Sequence, residues 1–144
     1  MYATLADMVE RYGEAEILRM SVIDGDLPED LEDPRVEARV SRAIETASSV
    51  IDSFLGKRYT TPIAVPPLSV VEAACVIARH WLSSSGSTTP SETAQTARDQ
   101  TLSWLNKIAQ GMVTIEGLAA ISKSSSARVS DRPAIYDPGT GGRW

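Results

Sequence analysis

Apolar residues recur at intervals of three and four through the first 111 positions, the period of helices that bury one face. Leu5, Met8, Val9 and Tyr12 form the first such stripe. Thr4 is placed to cap it, Asp7 to complete a variant capping box, and Gly13 to stop it. A short second helix is predicted from Glu14 to Ser21, with Ile17, Leu18 and Met20 apolar. An acidic loop from Asp24 to Asp33 follows. Asp33-Pro34 is the strongest start signal in the chain, because aspartate accepts from free amides and proline at the first helical position forfeits no hydrogen bond. From there Val36, Val40, Ala43, Ile44, Ala47, Val50, Ile51, Phe54 and Leu55 share one face, with Arg35, Glu37, Arg39, Arg42 and Glu45 opposite, until Gly56.

Prolines 62, 66 and 67 predict an extended segment over 57–68, since each biases its predecessor away from helix. Ser69-Val70-Val71-Glu72 reads as a capping box opening a helix with Val70, Ala73, Ala74, Ile77, Ala78, Trp81 and Leu82 inward. After a serine-rich loop, Thr89-Pro90-Ser91-Glu92 reads as cap, first-turn proline and box acid of a last helix. Its apolar face runs from Ala94 through Trp104 and Leu105 to Ala109, and Gly111 closes it. Met112 to Ile115 suits one short strand. Beyond Gly117 the period is lost, and Ser122 to Trp144 is rich in serine, proline, glycine and arginine. Such a stretch cannot bury enough apolar area to offset its own ordering entropy. The expected fold is therefore all-α: a small bundle of about four main helices over residues 1–118, with an extended C-terminal arm over 119–144.

Charge sharpens this picture. Residues 1–56 carry thirteen acids against five bases, 57–118 five bases against four acids, and 119–144 four bases against two acids. An acidic body with a weakly basic arm opposes tight duplex binding, which needs several bases on phosphates, but suits contacts between unlike-charged partners. No run of about 18 apolar residues exists to span a membrane, and the first residues lack the basic-then-apolar pattern of a secretion signal. One cysteine, Cys75, leaves no internal disulfide and no cysteine-clustered zinc site.

Candidate chemistry is sparse. Asp24 and Asp26 fit the first two ligand positions of a calcium loop, yet the turn glycine is misplaced and Arg35 stands where a glutamate is required. His80, the single histidine, lies five residues from Cys75, off the three-or-four spacing that would make them neighbours on a helix. Gly139-Thr140-Gly141-Gly142 lacks the lysine and hydroxyl of a phosphate loop. No catalytic, metal or cofactor site is expected. Interface residues are the better candidates. Lys57, Arg58 and Tyr59 follow a helix end, where the bases could neutralise the helix dipole or dock on an acidic patch of another subunit. Arg128, Arg132, Ile135, Tyr136, Arg143 and Trp144 supply the arginines and large apolar groups of an anchoring arm.

Several stretches resemble the Mu-like phage head-to-tail adaptor (connector) family: Tyr2-Ala3-Thr4 with Asp7 to Glu14, Ile51 to Tyr59 with Pro62, Pro67-Leu68, Ile77-Ala78-Arg79 before Trp81-Leu82, and Trp104-Leu105 with Ile108-Ala109 and Gly111. The resemblance covers most of residues 1–111. It implies a non-enzymatic virion protein at the head–tail junction, made in the host cytoplasm. Such a protein forms a homo-oligomeric ring of about twelve copies that touches the portal protein above and a further connector or tail protein below. DNA would pass through the ring without sequence-specific binding, and the arm would reach a neighbouring copy or the portal. Another head-completion or tail-terminator connector is the nearest alternative, and a small helical regulator or nucleic-acid binder an alternative of another class.

Overall fold

A computed structural model describes residues 1–22, 25–85 and 88–121. They form five helices: α1 (Leu5–Tyr12), α2 (Glu14–Met20), α3 (Pro34–Leu55), α4 (Leu68–Ser84) and α5 (Glu92–Ala109). No strand is present among the described residues, so the all-α expectation holds.

Helix α3 is the spine. α4 packs along it, α5 leans against both, and α1 crosses the α3–α4 pair with α2 turned back beside it. Asp33 caps α3 through the Arg35 amide with Pro34 in the first turn, as its sequence predicts. Val36, Val40, Ala43, Ile44, Ala47, Ile51 and Leu55 are buried, while Val50 and Phe54 close the core's edge. The α1 capping box is present in full: Thr4 accepts from the Asp7 amide, and the Asp7 carboxylate accepts from the Thr4 amide. Gly13 then breaks the helix at φ +85°, a conformation without penalty only for glycine.

Three local expectations need correction. Helix α4 starts at Leu68, with Pro67 as its cap residue and no side-chain cap, so Ser69 lies inside the first turn and forms no box. Proline there already holds the extended backbone that a cap position requires. α5 is capped by Ser91, whose hydroxyl accepts from the Ala94 amide, two residues beyond the Thr89 expected. Thr89 and Ser91 both carry acceptors, and Ser91 is the one placed before the first helical residue, Glu92. Met112 to Ile115 forms no strand; instead Tyr59 and Ala120 make an isolated antiparallel bridge. With no partner strand beside it, the segment pairs by other routes: the Met112 amide donates to the Lys107 carbonyl and the Ile115 amide to the Tyr59 hydroxyl.

The N-terminal residues are part of the core. Tyr2 and Ala3 are buried, the Tyr2 amide donates to Ser48 Oγ at 3.0 Å, and the Tyr2 hydroxyl donates to the Asp52 carboxylate. That hydroxyl also accepts from the Ile63 amide at 3.0 Å. One side chain thus ties the chain start, the last turns of α3 and the proline-rich segment together. Burial foremost, and then the Asp52 carboxylate, push its hydroxyl up to about 12. A second tie joins α2 to α4: Arg79 Nε and Nη2 both donate to Glu16 Oε1, at 2.9 and 2.6 Å, and the guanidinium lies 4.6 Å over the Tyr12 ring.

Candidate interaction surface

The end of α3 decides where Lys57, Arg58 and Tyr59 point. The amides of Arg58 and Tyr59 both donate to the Leu55 carbonyl, which tightens the turn and sends Tyr59 inward. Tyr59 is 3% exposed, and its hydroxyl accepts from the Ile115 amide at 3.0 Å. Its interface assignment is therefore corrected: an aromatic beside two bases looks surface-bound in sequence, but this one pins the segment after α5 to the core. Arg58 is half-buried, with its guanidinium against Gly111, where an added Cβ would clash with Nη1. The cation stands beside the end of α5 rather than beyond the helix it follows. Lys57 is exposed. Of the three, Lys57 and the edge of Arg58 face outward. Arg128, Arg132, Ile135, Tyr136, Arg143 and Trp144 lie outside the described residues, as does the glycine-rich stretch 139–142.

The acidic loop at the other end of α3 is organised by Arg35. Its guanidinium pairs with Asp33 at 2.7 Å and Asp26 at 3.4 Å, holding the Asp33 carboxyl below the usual range. The guanidinium thus engages the carboxylates of both Asp26 and Asp33, while Asp24 lies outside the described residues. Among the described residues no three His, Cys, Asp or Glu side chains gather to hold a metal. Glu29, Asp30 and Glu32 remain exposed and outside any ion pair of the described residues.

Cys75 is buried, and burial foremost pushes its thiol up to about 11, the opposite of an activated nucleophile. His80 is half-exposed on the same helix, its pKa lowered by burial and then by Arg98 of α5. The two do not form a pair.

The least expected feature is a groove along the outer face of α4. Its floor includes Leu68, Val71 and Val76, α1 supplies Asp7, Glu10 and Arg11 on one wall, and α5 supplies Ala97, Gln100 and Trp104 on the other. The Arg11–Glu72 ion pair, 3.2 Å long, divides it into recesses of about 340 and 240 Å³. Leu68 is 73% exposed at its mouth. Of the apolar face that α5 shows in sequence, Ala94, Leu105 and Ile108 are buried, while Ala97, Leu102 and Trp104 are covered only in part. The helical period marks that face as apolar, yet nothing in it tells how far neighbouring helices cover it.

The profile of the family described as Bacteriophage Mu, Gp36 matches residues 2–131. Among similar proteins, "Gene product J" of Escherichia phage Mu is 31% identical over 142 residues, covering 94% of this chain and 93% of that protein. "Mu-like prophage FluMu protein gp36" of Haemophilus influenzae is 35% identical over 79 residues, which is 55% of this chain and 54% of the relative. The match to the Haemophilus protein thus spans about half its length, whereas that to the phage Mu protein is nearly end to end. With the helical order from Tyr2 to Ile121 falling inside the matched range, the chain belongs to the Bacteriophage Mu Gp36 family.

Proposed function

We propose that this protein is a non-enzymatic virion component, a head-to-tail adaptor whose copies close into a ring between portal and tail. Membership in a Mu phage family supports the phage setting. The observation that carries the finer reading is the charge polarity of α3. Glu29, Asp30 and Glu32, outside any ion pair of the described residues, precede its start, and Lys57 and the half-buried Arg58 follow its end beside α5, whose last turn carries Lys107. With 22 residues in α3, those ends stand about 33 Å apart. A ring built head to tail needs two different, mutually complementary patches on each subunit, which this arrangement supplies. An antiparallel two-fold dimer would also pair unlike ends, and its smaller mass distinguishes it from a ring in solution.

Catalysis has no part in this reading: the one thiol is buried, and the described residues bring no Cys–His pair together. DNA passes through the ring, and the acidic surface disfavours phosphate contact. Light scattering on the full chain, alone and mixed with its portal, tests the proposal. A ring-sized mass in either sample is the expected result. A monomer that ignores the portal, combined with salt-dependent duplex DNA binding, would replace the adaptor reading with that of a nucleic-acid-binding regulator.

A further inference from the structure

The α4 groove has an apolar floor, three carboxylates and Arg11 along the α1 side and, among the described residues, no helix laid over it. Glu10 is exposed and outside any ion pair of the described residues, and Asp7 and Glu72 lie beside it. A fitting occupant carries bases and large apolar side chains in an extended chain. Segment 122–144 has that composition: four bases against two acids, with Ile135, Tyr136 and Trp144. Position agrees with composition. The Ile121 amide donates to the Arg58 carbonyl at 2.7 Å, and the Arg58 guanidinium lies against Gly111 at the end of α5. Trp104 stands seven residues earlier on α5, about 10 Å along the axis. The segment therefore leaves the body on the order of 20 Å from the recess beside Trp104, whereas its 23 residues span up to roughly 75 Å when extended. Tethered that close, it meets its own groove at an effective concentration on the order of millimolar, far above what a second copy presents in dilute solution.

We propose that in the isolated subunit the segment 122–144 docks in its own chain's α4 groove, an aromatic side chain entering the recess beside Trp104 and arginines facing Glu10 and Glu72. The contact is independent of whether the protein forms a ring. It withholds the segment's aromatic and arginine anchors from other copies until a competing surface displaces them.

Site-specific photo-cross-linking in the full chain tests this. Gln100, exposed at the groove, is replaced by benzoylphenylalanine, and Glu45 on the outer face of α3 serves as the control position. Equal amounts of ordinary and nitrogen-15-labelled chains are mixed, and cross-linked peptides are mapped by mass spectrometry. Expected are cross-links from position 100 to peptides within 122–144, of unmixed isotope composition, at least about tenfold above the Glu45 control. Glu10→Lys and, separately, Trp144→Ser should each lower the yield several-fold; neither alters a buried residue of the body. Isotopically mixed cross-links would move the occupant to a neighbouring copy and overturn the intramolecular contact. Equal yields at both positions, or none to 122–144, would overturn the docking itself.

Discussion

Replacing Tyr2 by phenylalanine removes one oxygen atom and keeps the ring that fills the core. That oxygen donates to the Asp52 carboxylate and accepts from the buried Ile63 amide. A hydrogen bond to a charged partner contributes about 1.5–3 kcal/mol, and a buried amide left without an acceptor costs about 1–3 kcal/mol. Asp52 is only half-buried and can turn to water, which trims the first figure toward its lower end. The expected loss is about 3 kcal/mol, a large share of the roughly 5–15 kcal/mol that holds a small domain folded. For a body of about 120 residues this lowers Tm by roughly 12 °C. Urea unfolding followed by circular dichroism, for wild type, Tyr2→Phe, Asp52→Ala and the double variant, reads both the loss and the coupling. Coupling of about 1 kcal/mol or more between the two positions is expected. A loss under 0.5 kcal/mol with no coupling would show that the hydroxyl does not tie the chain start to α3, and the reasoning would fall.

Leu105→Ala should cost about 2–5 kcal/mol, since Leu105 is fully buried, whereas Leu102→Ala, on the half-covered side of the same helix, should cost clearly less; equal midpoints in urea would contradict this assignment of faces. Arg79→Ala should lose about 2 kcal/mol through its fork on Glu16 and its stack on Tyr12, and lysine should restore little of it, because an ammonium cannot reproduce the fork; full rescue by lysine in thermal melts would refute the role of the planar group. Alkaline pH should destabilise the fold. Cys75 and Tyr2 ionise near 9 and 10 when unfolded but near 11 and 12 when folded, so the stability they contribute is complete below pH 9 and lost as pH rises through 11 and 12. Tyr2→Phe should flatten the upper part of that fall, and an unchanged profile in pH-dependent urea midpoints would exclude Tyr2 as its source.

Helix order and the core face of α3 were legible in the sequence because they rest on local rules. A cap acts within three residues, and a helical stripe repeats every three or four, so Thr4 with Asp7, Asp33 with Pro34, and the run from Val36 to Leu55 needed no distant partner to be read. What escaped local reading depends on partners far along the chain. The Tyr2 hydroxyl meets groups 50 and 61 positions away, and the Tyr59 hydroxyl meets one 56 positions away, so neither tyrosine announces its burial. Thr89 and Ser91, like Pro67 and Ser69, stand two positions apart, so local pattern alone did not separate the observed cap from the expected one. The groove is tertiary in the strictest sense: the sequence by itself determined that α4 and α5 have apolar faces, and only their crossing with α1 decided that part of that surface is left open, because coverage is a property of how helices meet and not of any one helix.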